Sequence, residues 1–307
     1  MKTKKIYMLL LVGVLLSACY ENYIYDNDYS TVGFAIGRPL RTVIADRDME
    51  IRIGVSIGGK RAVDMNDWAT FAIVSDSVPA GKTLLPESYY ILSDPTTMRV
   101  QKSNLPVADV GVKFTEDFYN DPGAYSSKYV LPLTITDSSL DSVYAVSTIV
   151  CFKCISTFHG TYYVKGQLFE LDAPDGNTVN TITYSDKDLV KNITRDVYTR
   201  DRYTVTRTGI ANYALSFPSG QTEADERIRM KIVPDGNADK TYNVEVSTDP
   251  GSITAITDGS GTYYGNKENP EIELKYAFTK GGKNYRVEET LILRQDPLYD
   301  LRVEYWQ

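Results

Sequence analysis

Glu271-Ile272-Glu273-Leu274-Lys275-Tyr276-Ala277-Phe278 is the stretch that decides the fold of the second half of this chain. Ile272, Leu274, Tyr276 and Phe278 alternate with Glu271, Glu273 and Lys275, and residues two apart on a strand share one face. The same rhythm recurs upstream. Ile228, Met230 and Ile232 oppose Arg227, Arg229 and Lys231, while Tyr242, Val244 and Val246 oppose Asn243 and Glu245. Strands with one apolar and one charged face belong to an antiparallel sheet that is wet on one side. Tight turns punctuate them at Pro234-Asp235-Gly236-Asn237, Asp249-Pro250-Gly251, Asp258-Gly259-Ser260-Gly261 and Lys280-Gly281-Gly282-Lys283. Glycine supplies the positive φ such turns need, and Asp or Asn caps their backbone. A meander of hairpins with one apolar face closes into an up-and-down barrel or a strongly curled sheet.

Toward the N-terminus the runs shorten. Val, Ile, Thr, Tyr and Phe gather at 31–36, 51–57, 70–74, 89–92, 98–100, 110–114, 129–136 and 145–152, with turn residues between. Such spacing suits an immunoglobulin-like β-sandwich. Pro132 removes a ladder donor and predicts an edge or a bulge for its strand, and 117–127 has room for a helical turn or two. The fold class is therefore all-β, with a boundary near 155–159 and no long linker. Cys151 and Cys154 lie three apart on a strand and so face opposite ways, which disfavours a disulfide or a shared metal.

The first residues read as an export signal. Lys2, Lys4 and Lys5 precede an apolar run at 6–16, shorter than the ~20 residues a membrane span requires. Leu16-Ser17-Ala18-Cys19 resembles the bacterial lipobox, which implies cleavage before Cys19 and acylation of its thiol and new amine by palmitate-like chains. Two or more chains anchor stably. The acidic, tyrosine-rich Tyr20-Glu21-Asn22-Tyr23-Ile24-Tyr25-Asp26-Asn27-Asp28 resembles the signal that sends Bacteroidetes lipoproteins to the cell surface. The full chain carries a net charge of −7, and loss of 1–18 removes three lysines and no acid. So acidic a protein is ill suited to nucleic acid or to an anionic lipid surface. Its one membrane contact is expected through the N-terminal lipid.

Asp28-Tyr29-Ser30-Thr31-Val32-Gly33-Phe34, Arg41-Thr42-Val43, the Ile-Gly-Gly at 57–59, Leu85-Pro86-Glu87-Ser88-Tyr89-Tyr90 and Tyr129-Val130-Leu131-Pro132-Leu133 resemble the N-terminal immunoglobulin-like domain of unknown function in surface lipoproteins of Bacteroidetes polysaccharide-utilisation loci. Phe158-His159-Gly160-Thr161-Tyr162-Tyr163-Val164-Lys165-Gly166 resembles the start of the lipocalin-like β-domain that often follows it. The resemblance implies a signal peptide at 1–18, an acidic tether at 19–30, the sandwich domain at 31–157 and a lipocalin-like barrel domain at 158–307. It also implies a non-catalytic accessory role at the outer membrane, beside neighbouring glycan-uptake proteins, with a polysaccharide or oligosaccharide as ligand. It carries no catalytic residue to transfer.

Chemistry is sparse. His159 is the single histidine of the chain, so a multi-histidine metal site is excluded; next to Gly160 at the boundary, it reads as a junction residue bonded to backbone. No cofactor motif is present, and the Gly-Gly pairs at 58–59 and 281–282 lack the lysine-serine pair and helix of a P-loop. A carboxylate-only glycoside hydrolase needs two acids across a cleft, but Asp172, Asp175 and Asp258 sit beside turn glycines, where capping is the ordinary role. Neither 172–177 nor 235–239 has calcium-loop spacing. The composition is rich in tyrosine, 24 against 9 phenylalanines, and rings with a polar tip suit partly wet interfaces. Repeated Thr-Tyr-Tyr triplets and a terminal Tyr305-Trp306 make Tyr162, Tyr163, Tyr263, Tyr264 and Trp306 the candidate saccharide contacts. A structural or adhesive protein that takes a partner strand at an open sheet edge is the competing reading. Asp76-Ser77-Val78 and Asp141-Ser142-Val143 resemble Bacteroidetes O-glycan acceptor sequences.

Overall fold

A computed structural model describes residues 29–60, 63–102, 104–215, 220, 222 and 225–307. The expected signal peptide, Cys19 and nearly all of the expected tether lie outside the described residues.

The first sheet uses β1 (Thr31–Gly33), β2 (Pro39–Ile44), β3 (Glu50–Gly58), β4 (Trp68–Ile73), β5 (Thr83–Leu84), β6 (Tyr90–Leu92), β7 (Thr97–Val100), β8 (Val107–Phe114), β9 (Tyr129–Ser138), β10 (Ser142–Val143) and β11 (Ser147–Ile155). The expected sandwich is realised as one mixed sheet folded over a single core of Val32, Val55, Phe71, Met98, Val112, Phe118, Leu131 and Phe152 among others. Parallel pairings of β2 with β11 and of β1 with β10 make it mixed. The helical turns expected near 117–127 are α1 (Glu116–Asn120) and a 3-10 turn, Pro122–Ser126.

Pro132 departs from expectation. It lies on an interior strand, with β4 on one side of β9 and β11 on the other. β4 stops opposite Leu133 and β5 joins only at Val130, so no ladder acceptor awaits the missing N–H. The Val74 N–H still donates to the Pro132 carbonyl, 3.1 Å away.

The second sheet comprises β12 (Gly160–Leu171), β13 (Thr178–Tyr184), β14 (Ile193–Thr199), β15 (Thr204–Thr208), β16 (Arg227–Ile232), β17 (Thr241–Thr248), β18 (Ile256–Tyr264), β19 (Glu271–Lys280) and β20 (Lys283–Leu293). It is an eight-stranded antiparallel barrel, closed where β20 pairs with β12. β13 and β14 occupy one position in the wall. Both run antiparallel to β12 on the same edge, β13 opposite Gly166–Leu171 and β14 opposite Gly160–Val164. The segment 185–192 interrupts what is otherwise one strand.

Alternation sorts the barrel's side chains as the sequence requires: Ile228, Met230, Ile232, Ile272, Leu274, Tyr276 and Phe278 fill the interior. Ile210 and Ala211 also pack into that core, so the chain leaving β15 turns inward as a plug.

The interior is not wholly apolar. Arg207 and Glu289 are fully buried and pair at 2.5 Å. The same carboxylate accepts hydrogen bonds from the Tyr276 hydroxyl (3.0 Å) and the Tyr184 hydroxyl (3.1 Å). Arg207 Nη2 also donates to the Gly209 carbonyl, and the Ala211 N–H donates to the Tyr276 hydroxyl. A Cβ at position 166 would stand 2.6 Å from Glu289 Cβ, so glycine there is what admits the glutamate.

The chain after the barrel does not stay with it. β21 (Glu304–Tyr305) pairs with β2 of the first sheet. Trp306 packs with Leu40, Val130, Cys151, Val78 and Ile149, and its indole N–H donates to the Ile149 carbonyl at 3.0 Å. Arg38 and Lys82 each lie 5.1 Å from the indole centre. The two thiols face opposite ways, Cys151 under Trp306 and Cys154 in the main core, and both are free. Burial pushes the Cys154 thiol up to about 12.

Removing one partner of a buried ion pair strands the other, at a cost of about 3–5 kcal/mol. Glu289→Ala is therefore expected to destabilise the barrel by that amount, measured as a shift of the urea unfolding midpoint. A loss below about 1 kcal/mol, within the range of surface pairs, would show that Arg207 is not held by Glu289.

Candidate functional site

Five side chains were singled out as ring contacts for a saccharide, and the fold scatters them. Tyr162 is buried in the barrel core, where its hydroxyl donates to the Phe158 carbonyl (2.9 Å). Tyr263 points the same way, edge-on to Phe158 and stacked on Tyr242 at 5.8 Å. Tyr163 and Tyr264 fall on one cross-strand row through Ile292 and Glu271. Three strand spacings separate them, roughly 14 Å. Tyr264 is engaged locally, donating to Glu273 (3.2 Å) under Lys267. Trp306, expected on the barrel, lies on the first sheet. Adjacent residues on a strand face opposite sides, so each Tyr-Tyr pair sends one ring inward; no single platform results.

Three concavities among the described residues bear on a ligand. One, about 780 Å³, is an open groove on the outer barrel wall lined by Lys165, Gln167, Lys187, Glu273 and Glu288. Its side chains are polar or charged except Leu274, and no aromatic ring lines it. A cleft of about 310 Å³ lies where the two sheets meet, bordered by Lys153, His159, Asp196, Tyr198 and Arg302. The third, about 370 Å³, is at the barrel end where the β12–β13 turn, a bulge in β18 and the β19–β20 strands come together.

That barrel-end pocket combines the two kinds of surface a sugar needs. Leu171, Pro174, Ala277, Phe278 and Tyr285 give it apolar lining, and Asp175, Asp258, Asn284 and Arg286 give it polar groups. Phe278 and Tyr285 stack at 5.1 Å. The local sequence explains the shape. Asp172 caps its turn by accepting the Asn177 N–H (2.8 Å), while Asp175 takes φ +57° and so projects from the turn. In β18 the register slips between Thr257 and Ser260, and Asp258 adopts φ +48°. Gly259 has no alternative, since a Cβ would stand 2.1 Å from the Val246 carbonyl oxygen. Of the three acids read as turn caps, Asp172 serves as one, and Asp175 and Asp258 line the same pocket. Asn284 and Arg286 gave no signal in the sequence, being the wet-face residues of an ordinary strand.

Direct contacts join the two halves around the junction. Arg202 pairs with Asp46, with Glu116 (2.7 Å) and with Asn120 (2.8 Å). Arg47 Nη1 reaches both oxygens of Asp296 at 2.8 Å. Ser156 bonds Thr199 and the Arg202 carbonyl. His159 accepts the Thr199 N–H at Nδ1 (3.3 Å), the backbone role read from its position. Among the described residues no three of His, Cys, Asp and Glu converge as metal ligands, and no helix is long and apolar enough to cross a membrane. Of the two acceptor-like serines, Ser77 is exposed and Ser142 is half-buried in β10.

No family model matches the chain. A solved structure of unknown function from Bacteroides ovatus, 18% identical, superposes with a TM-score of 0.66 over 92% of this chain and all of its own, and so shares its fold. A multidomain protein including DUF1735 from the same organism, 15% identical, reaches a TM-score of only 0.37. Among curated proteins, transcription elongation factor SPT6 of Eremothecium gossypii is 30% identical over 125 residues; the match covers 38% of this chain and 8% of that protein.

Burial lowers the His159 pKa, Lys153 adds to the effect and Asp196 opposes it. The neutral ring is thus favoured in the fold, so its contribution to stability is present above the ordinary value of 6.5 and is lost as pH falls through the lower folded value. His159→Gln is expected to flatten the loss of stability below that pH. Thermal melts of both proteins across the acid range test this; parallel profiles would contradict it.

Proposed function

We propose that this protein is a non-catalytic, lipid-anchored outer-membrane surface protein that holds a short saccharide in the barrel-end pocket, as an accessory of polysaccharide use beside glycan-uptake proteins. The observation that carries the reading is the pocket's pairing of apolar lining with Asp175, Asp258, Asn284 and Arg286 in a space of about 370 Å³. A sugar presents C–H faces and hydroxyl edges together, and ligand sites of this kind are concave, largely apolar and oriented by a few polar groups. The lipobox-like tetrapeptide ending at Cys19 and the acidic stretch after it support the address. The single histidine, engaged with backbone, supports a role in binding rather than turnover.

A glycan panel followed by calorimetry tests the ligand. Dissociation constants in the micromolar to millimolar range are expected, about −8 to −4 kcal/mol. Asp258→Ala and Arg286→Ala should each remove on the order of 1–2 kcal/mol, while Tyr163→Ala and Tyr264→Ala on the outer wall leave affinity unchanged. The absence of binding across a broad panel would overturn the reading. The anchor is tested separately: Cys19→Ala should move the protein out of the membrane fraction, and unchanged fractionation would refute lipidation at that residue.

A further inference from the structure

Sheet edges invite pairing with other chains, and proteins usually shorten, charge or cover them. The first sheet follows that rule, since its terminal strands β10 and β21 have two residues each. β13 does not. Thr178-Val179-Asn180-Thr181-Ile182-Thr183-Tyr184 has no charge and no proline, and every residue before Tyr184 is exposed. Val179 is 59% exposed and Ile182 36%. One edge of β13 pairs with β12, and among the described residues no strand lies on the other. The Thr181 N–H donates to the neighbouring Asn180 side chain at 2.9 Å.

We propose that this edge is a docking surface for a second copy of the same chain, β13 pairing antiparallel with β13 about a two-fold axis at Thr181. Charge is what selects the occupant. The chain is acidic overall, at −7, so two copies repel unless they meet on a locally neutral and complementary face. β13 is neutral, and its flanks are complementary to themselves. Asp175 and Lys187 stand six residues on either side of Thr181, both are exposed, and neither has an ion-pair partner among the described residues. Antiparallel pairing at Thr181 sets Val179 opposite Thr183 and Asn180 opposite Ile182, and brings the turn bearing Asp175 to the same end of the contact as the partner's Lys187, twice over. A two-fold contact repeats each favourable pair in this way. The joined edge runs β20, β12, β13 and then the partner's strands in reverse order.

Sedimentation velocity over a concentration series, with no saccharide present, tests the pairing in the lipid-free protein. A concentration-dependent monomer–dimer equilibrium is expected. Thr181→Pro, which removes an edge donor, should leave monomer alone. Asp175→Lys and Lys187→Asp should each weaken the dimer about tenfold, an effect of roughly 1.4 kcal/mol, and the double variant should restore it. Because a proline variant can misfold, the charge exchange is the deciding arm: each single variant is compared with the double by circular dichroism and sedimentation. A monomer at every concentration, or a dimer indifferent to the exchange, would overturn the proposal. The saccharide reading is untouched by either result, since no sugar enters the experiment.

Discussion

A barrel interior lined only with aliphatic side chains would have to be filled by them, and this one is organised around an ion pair instead. Arg207 and Glu289 lie on opposite sides of the lumen, on β15 and β20, with no exposure to solvent. Desolvating two such charges costs several kcal/mol per ion unless they meet and their remaining valences are satisfied. Glu289 achieves this with three donors, one guanidinium and two phenols. Burial and the adjacent carboxylate raise the pKa of Tyr276 and Tyr184, so both phenols stay protonated and keep donating. Through Gly209 and Ala211 the same cluster holds the inward-turning plug. The anchoring of the plug and the need for glycine at position 166 both follow from where that carboxylate sits. Arg207 Nε and Nη1 have no hydrogen-bond partner. The arginine is therefore the less completely satisfied member of the pair.

The barrel-end pocket and the junction differ in what builds them. The pocket is made of turn and bulge backbone from one sheet, with two aspartates in left-handed conformations. The junction is made of long-range ion pairs between sheets. Arg202, only 13% exposed along its side chain, meets Asp46 from the β2–β3 turn and Glu116 from α1, and lies over the Tyr119 and Tyr203 rings. A cation so enclosed fixes the relative orientation of the two halves more firmly than the short crossing at 156–159 could alone.

Much of this was legible in the sequence, and the failures have physical causes. Period-two alternation at 228–232 and 272–278 identified the barrel's inner face because one face is dry and the other wet. The opposite facing of Cys151 and Cys154 followed from strand geometry alone. Arg207 was illegible: in Thr204-Val205-Thr206-Arg207-Thr208 an arginine reads as a wet-face residue, and its acid partner lies 82 positions away. The broken strand formed by β13 and β14 hid for a similar reason, since local pattern records two runs but not that they share one edge of β12. The tyrosine cluster misled because identical triplets say nothing about which ring turns inward. Asp175 and Asp258 were named but assigned to turns, and turns are where the pocket is. Trp306 was placed with the barrel because sequence proximity stood in for a contact that spans the whole fold.

That last contact has a kinetic side. β2 ends at Ile44 and its partner β21 begins at Glu304, so the first sheet encloses the whole barrel within a single loop closure. Closing a long loop costs entropy that grows only slowly with length, but it must be met before the contacts that reward it form. A compact barrel shortens the effective loop by bringing its ends together. The topology sets an expected order of assembly, in which the barrel condenses before β21 and the indole of Trp306 find their places on a sheet laid down far earlier in the chain.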